Sequence, residues 1–363
     1  MVSGWGIKIF LIFGKGKETM INILGNIDSA FISEFNKPKN IVILTHVNPD
    51  GDAMGSSLAL YQYLVKKGNQ VTVITPNDYP AFLKWMKGSD QVVEFKSNSS
   101  KACEILKKAD LLICADFNEL SRLKGVNDYL QYITAKRLLI DHHLNPESIY
   151  DHAYHTIQTS STAELVYRFI SDMNEKHLID KDIAECIYAG IMTDTGCFSF
   201  NSSTPRTFNI VSDLLQAGID KDKVFSQVYN NYSANRMRLM GYALQRKMVV
   251  HPDIHTAYIV LSRAELESFE FAQGDTEGFV NLPFNIAGIH FTALFLERKE
   301  GVKVSLRSHG SFPVNELCKK HYMGGGHKNA AGGETKLPLD EAVDEFEKLL
   351  IQYSNDLKTA TWS

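Results

Sequence analysis

Between residues 40 and 140, short apolar runs rich in β-branched residues alternate with segments whose apolar residues recur at helical spacing. Strands are expected over 40–45, 71–74, 92–95, 111–115 and 137–140. Helices are expected over 53–68, 79–86 and 101–108, an irregular helical stretch runs to Ile133, and a further helix over Met20 to Asn36 precedes the first strand. This alternation permits few architectures. It predicts an α/β fold with a doubly wound, mainly parallel sheet. In such a sheet the turns at the carboxyl ends of the strands converge on one edge, where ligands bind.

Beyond residue 160 the periodicity is helical, with segments over 162–171, 182–192, 205–217 and 223–229. A long periodic segment over Ala234 to Met248 reads as a connector. Strand patterns then return at 255–261, 290–297 and 302–308, with Lys299-Glu300-Gly301 as a hairpin turn. Asp340 to Tyr353 is an amphipathic terminal helix. The expected organisation is a dispensable extension over 1–19, a catalytic domain over 20–233, a helical linker over 234–250 and a smaller α/β substrate-binding domain over 251–363. The apolar run Ile7 to Phe13 is too short to span a membrane and lacks a nearby small-residue cleavage site.

Thirty-eight basic and 42 acidic residues leave the chain near neutral. No polybasic surface is implied, which disfavours long nucleic acid as a partner. The five cysteines, at 103, 114, 186, 197 and 318, form no C-x-x-C pair. Scattered in apolar runs, they read as reduced thiols of a cytoplasmic protein.

Chemistry-bearing residues collect where the apolar segments end. His46, Asp50 and Asp52 follow the first strand, Asp116 another, and Asp141, His142 and His143 a third; Asp194 follows the apolar stretch Ile187 to Met192. Singly, each has an ordinary reading: Asp52 or Asp116 as a helix cap, Asp194 as a turn residue, the paired histidines as a surface or core pair. Together they are hard to explain as independent caps. That many carboxylates at one sheet edge would repel one another unless cations neutralise them. Two divalent cations bridged by a carboxylate satisfy the set and would activate water against phosphorus. Mixed imidazole and carboxylate donors suit manganese better than magnesium. In the second domain, Gly324-Gly325-Gly326-His327 frees backbone amides for an anion, with following small residues expected to pack as a helix. Arg307, on an expected strand, is a candidate fork for phosphate or base.

In combination these residues resemble the DHH phosphoesterase superfamily. His46-x-x-x-Asp50-x-Asp52, Asp116, Asp141-His142-His143 and Asp194 match its motifs in order, and Gly324 to His327 with Ala330-Ala331-Gly332 is similar to its DHH-associated C-terminal domain. The resemblance implies that His46, Asp50 and Asp116 hold one Mn2+ and that Asp52, Asp116, His142 and Asp194 hold a second, Mg2+ being the substitute. It implies that Asp141 orients a histidine, that His143 contacts the scissile phosphate, and that Arg307 with Gly324, Gly325, Gly326 and His327 binds the far end of the substrate.

A two-domain chain without further domains is most similar to the NrnA type. That type degrades very short oligonucleotides and removes the 3′-phosphate of 3′-phosphoadenosine 5′-phosphate. Residues 251–363 carry eleven Lys and Arg against sixteen Asp and Glu, which suits a pocket for a few nucleotides and disfavours processive exonuclease action. The expected partner is a short nucleic acid or nucleotide, with no membrane; a homodimer is compatible with this reading. Two alternatives share the motifs: a phosphodiesterase for cyclic or linear dinucleotides, and a nucleotide-binding protein without catalysis. A dinucleotide-dependent oxidoreductase is set aside, because no G-x-G-x-x-G follows the first strand.

Overall fold

The computed structural model describes residues 21–22, 29–35 and 37–360. Among these, the first sheet has strands β1 (Ile21–Asn22), β2 (Asn40–Leu44), β3 (Gln70–Thr75), β4 (Val93–Glu94), β5 (Leu111–Ala115), β6 (Lys136–Asp141) and β7 (His152–His155). All pair in parallel, in the order β1-β7-β6-β5-β2-β3-β4. Around it lie α1 (Ser29–Ser33), α2 (Gly51–Lys66), α3 (Ser99–Lys107), α4 (Asn127–Leu130), α5 (Thr162–Asp172), α6 (Lys181–Asp194), α7 (Pro205–Gln216) and α8 (Lys221–Tyr229), and α9 (Ala234–Tyr242) follows, leading to the second sheet.

The central strands read as unbroken apolar runs because both faces are covered. Ile41 and Ile43 of β2 face α2, α5 and α6 beside Leu58, Phe169 and Ile187. Val42 and Leu44 face the opposite core, with Leu106, Leu112 and Phe117. Alternate residues of one strand thus enter opposite layers.

The contact between α2 and α6 is close because glycines line it. A Cβ at Gly55 would lie 2.5 Å from the Cys186 carbonyl oxygen, and one at Gly190 would lie 2.5 Å from Ala163 Cβ and 3.0 Å from Asp52 Oδ1. This approach carries the last residue of α6, Asp194, to the first turn of α2.

The second sheet comprises β8 (Met248–His251), β9 (Thr256–Leu261), β10 (Phe291–Arg298), β11 (Gly301–Ser308), β12 (Gly325–His327) and β13 (Ala330–Thr335), in the order β12-β13-β11-β10-β9-β8. Only β9 and β10 pair in parallel. The expected hairpin turn joins β10 to β11 with Arg298 opposite Gly301. The remaining helices are α10 (Arg263–Ser268), α11 (Val314–His321), α12 (Leu339–Gln352) and α13 (Ser354–Thr359). Phe291, Phe295 and Val304 pack with Phe346 of α12 on one face. Ile259 and Leu294 pack with Leu239 of α9 on the other.

Several expectations are corrected. Of the helix expected over Met20 to Asn36, the described residues show α1 over Ser29–Ser33, and Ile21–Asn22 instead joins the sheet beside β7. The proposed extension falls outside the described residues. The segment expected as a helix over 79–86 holds one 3₁₀ turn, Ala81–Leu83, entered from Pro80. Strand β7 is too short and too polar at its ends to show in the pattern; Ala153 and Tyr154 bury nonetheless. The connector helix ends at Tyr242, continues through a π turn over Ala243–Lys247, and gives way to β8, where Met248 pairs with Ile259. The small residues after His327 form a strand, β13, not a helix. Among the described residues no helix is long and apolar enough to cross a membrane.

Candidate active site

The strand ends of the first sheet build one cluster. Asp50 caps α2, its Oδ1 accepting from the amides of Asp52 and Ala53, each at 3.1 Å. Its other oxygen stands 3.9 Å from His46 Nε2. Asp116, one residue past β5, has φ +65, a left-handed backbone that is uncommon outside glycine. That turn sets its carboxylate between two imidazoles: Oδ2 lies 3.5 Å from His46 Nε2 and Oδ1 lies 3.6 Å from His142 Nε2. His142 Nε2 also faces Asp52 Oδ2 at 3.8 Å and Asp194 Oδ2 at 3.7 Å. Every metal-ligand candidate from the sequence therefore lies in one constellation, as two groups that share Asp116: His46 with Asp50, and Asp52 with His142 and Asp194.

The donor set fits divalent cations. The imidazole-to-carboxylate separations of 3.5–3.9 Å are too long for hydrogen bonds. Donors about 2.1 Å from a common ion would stand about 3–4 Å apart. His46 also donates Nδ1–H to the Val47 carbonyl at 2.9 Å, which leaves the Nε2 lone pair aimed at two carboxylates. A lone pair facing anions is repelled unless a cation intervenes.

The electrostatics describe the same demand. Burial, with Asp116 and Asp50 nearby, pushes the Asp52 carboxyl well above its usual range. Asp116 is raised by burial and by Asp50 and Asp194, against the pull of His143. Asp194 is raised by burial and by Asp52 and Asp50. Burial depresses both His46 and His142, keeping their imidazoles neutral. Neutral imidazoles and proton-hungry carboxylates are what a site shows when its positive charge comes from a ligand.

Asp141 behaves differently. Although buried, it is held at about 2 by His143, whose Nδ1 lies 2.7 Å from Asp141 Oδ1. The His143 amide donates to the second oxygen at 3.1 Å, and His155 donates Nε2–H to the His143 carbonyl at 2.6 Å. The residue fixed by these bonds is thus His143.

The second sheet closes over this cluster. His327 of β12 stacks on His143, with ring centroids 4.6 Å apart at 22°, and lies 4.8 Å from the His142 ring. Burial and His143 lower its imidazole to about 4. Arg307, opposite Ala330 on β13, directs its guanidinium to the Leu306 carbonyl at 2.9 Å and is within electrostatic reach of Asp194 and Asp50. The glycines before His327 have separate causes. A Cβ at Gly324 would lie 2.1 Å from the Gly332 carbonyl, and one at Gly326 2.4 Å from the Ala330 carbonyl, so both serve the hairpin; space is open only at Gly325.

Sequence reasoning missed the groups that hold the ligands. The first two amides of α5 grip Asp52: Thr162 N–H reaches Oδ2 at 2.7 Å and Ala163 N–H reaches Oδ1 at 2.8 Å. Thr162 Oγ1 donates to Asp116 Oδ1 at 2.8 Å. Ser161 caps this helix through the Glu164 amide. Buried Glu164 holds Ser160 Oγ at 2.6 Å and Thr207 Oγ1 at 2.8 Å. The Ser161-x-x-Glu164 spacing is a helix-start signature, and was the available signal. Gly190 also belongs here.

A doubly wound parallel sheet with this acid–imidazole cluster at its carboxyl edge defines a phosphoesterase. The chain belongs to the DHH family: residues 40–191 match the DHH family N-terminal domain and residues 254–356 match the DHHA1 domain. It is 31% identical over 324 residues to the bifunctional oligoribonuclease and PAP phosphatase NrnA of Thermus thermophilus, covering 88% of this chain and 91% of that one. The Bacillus subtilis protein of that name is 27% identical, over 80% of this chain and 88% of its own. Among solved structures, an exopolyphosphatase-related protein from Bacteroides fragilis is 43% identical, with a TM-score of 0.86 over 91% of this chain and 96% of that one. The exonuclease RecJ, in a structure bound to manganese, shares the fold at 15% identity and a TM-score of 0.50, over 90% of this chain and 93% of that one.

Proposed function

We propose that the cluster is a two-cation centre that hydrolyses short oligonucleotides to mononucleotides and removes the 3′-phosphate of 3′-phosphoadenosine 5′-phosphate, with Mn2+ as the working ion. The observation that carries this reading is the Asp116 carboxylate, whose two oxygens face two separate imidazoles, His46 and His142. The names of the Thermus and Bacillus relatives support the substrate class.

His46, Asp50 and Asp116 would hold one ion, and Asp52, Asp116, His142 and Asp194 would hold the other. Bound divalent cations supply a water of lowered pKa and neutralise charge on the phosphoryl oxygens. The remaining work falls to the protein. Asp141 orients His143, whose free Nε2 edge donates to a phosphoryl oxygen where negative charge grows. His327, stacked on His143, and Arg307 bind the substrate from the second sheet and exclude bulk water from the cleft. The Thr162 hydroxyl and the first amides of α5 keep Asp116 and Asp52 in place during turnover. Residues 20–233 form the catalytic domain and 251–363 the substrate-binding domain. Cyclic or linear dinucleotides use the same centre in the alternative reading, which turns on the base-contacting surface.

Metal analysis tests the centre. Protein dialysed against Mn2+ and then passed through a desalting column should retain two ions per chain, and Asp116→Ala should retain none. Retention of two ions by that variant would refute the shared-ligand arrangement.

A further inference from the structure

Strand β11 alternates buried Val302, Val304 and Leu306 with partly exposed Lys303, Ser305 and Arg307. Lys303 and Arg307 therefore share the face that carries the substrate site, four residues apart, about 13 Å along a strand. The residue paired with Lys303 on β13 is Glu334. Its carboxylate does not serve Lys303. It reaches across the cleft to Lys124 Nζ of the first domain, at 3.7 Å. On the other side Lys303 is paired with apolar Leu296. Among the described residues, Lys303 makes no ion pair. The charged groups within its electrostatic reach are Arg298, Glu277, Arg307 and Asp50.

We propose that Lys303 anchors a second phosphate of the substrate, one or two nucleotides from the scissile ester, and that the Lys124–Glu334 bridge marks the distal end of the cleft. This rests on the phosphoesterase reading of the cluster and adds to it a length rule. A half-buried ammonium with its cross-strand acid committed elsewhere is a site for an anion from outside. Burial and Arg298 pull Lys303 down to about 8, so a bound phosphate also restores its full charge. The span from Arg307 to Lys303 is about two backbone repeats of an extended nucleotide strand, so a dinucleotide or trinucleotide suffices to reach both cations, and further nucleotides add no contact before the bridge.

The test compares native protein with Lys303→Met, which keeps the apolar stem, and with Lys303→Arg, which keeps the charge. Binding is measured by calorimetry with a phosphorothioate-linked, 5′-phosphorylated trinucleotide. Turnover is measured with a phosphorylated dinucleotide, and with bis-p-nitrophenyl phosphate, which has one phosphorus and no second anchor. Lys303→Met should weaken trinucleotide binding about tenfold and raise the dinucleotide KM similarly at unchanged kcat, with Lys303→Arg recovering most of the loss. Hydrolysis of the single-phosphorus ester should not change. Equal trinucleotide affinity in native protein and Lys303→Met, or an equal loss on the single-phosphorus ester, would overturn the proposal. Binding that follows the expected order in a protein that hydrolyses none of these compounds would uphold Lys303 and overturn the catalytic reading instead.

Discussion

His143 and His327 stack with ring centroids 4.6 Å apart although they belong to different sheets. One follows β6 and is fixed by Asp141; the other lies on β12 in a glycine-bounded hairpin. Because this contact joins the two halves of the site, removing one ring should separate substrate capture from metal binding. His327→Ala is expected to raise KM for a short oligonucleotide about tenfold while leaving Mn2+ content unchanged. Steady-state kinetics with parallel metal analysis checks this, and an unchanged KM would remove His327 from the substrate site.

Thr162 is the least conspicuous residue in the cluster, yet its hydroxyl is bonded to the shared carboxylate. Thr162→Val keeps the shape and the backbone amide that grips Asp52, and loses only that bond. Metal affinity or kcat should fall about 10–100-fold with little change in melting temperature. Thr162→Ser should restore most of the loss.

The carboxylates predict a pH dependence. Asp52, Asp116 and Asp194 all hold protons more tightly than ordinary aspartates, so protons compete with the cations for them. His46 and His142 are shifted the other way and stay neutral as pH falls, so they do not add to that competition. Apparent Mn2+ affinity should therefore weaken as pH falls, beginning at a higher pH than ordinary aspartates would give, by up to about tenfold per pH unit for each proton displaced. Titration calorimetry across this range tests it; an affinity independent of pH would contradict the charge assignment.

Gly190 links packing to the site. A methyl group there meets Ala163 and the Asp52 carboxylate at once. Gly190→Ala should cost about 1–3 kcal/mol of stability by overpacking. It should lower activity by more than stability explains, because Asp52 and the start of α5 must move. Denaturant unfolding and kcat measured on the same preparation separate the two effects.

The residues that follow strand ends were readable in the sequence, because acids and imidazoles gather after three apolar strand runs, β2, β5 and β6, that share one sheet edge. What places them was not readable. The grip of Thr162 and Ala163 on Asp52 spans more than a hundred residues of chain, and the bond is made by backbone amides that every sequence possesses. The glycines before His327 were legible as candidate anion contacts, but the hairpin that requires Gly324 and Gly326 where its two backbones meet was not. β7 escaped notice because four residues with histidine at both ends carry no alternation. The connector is helical to Lys247, one residue short of the expected end, and its change to a π turn over Ala243–Lys247 was not legible in the period. For Asp52 the deciding partner is distant in sequence; for the glycines and the connector it is a nearby strand whose pairing the local pattern does not announce.

A product assay reaches the central claim most directly. Equal concentrations of 3′-phosphoadenosine 5′-phosphate, a 5′-phosphorylated diadenylate, a five-nucleotide RNA and cyclic di-adenylate are offered with Mn2+, beside a chelated control. The account predicts mononucleotides from the short linear substrates and phosphate from the first compound, all abolished by chelation. Preferential opening of the cyclic compound, or products that persist in the chelated control, would contradict it.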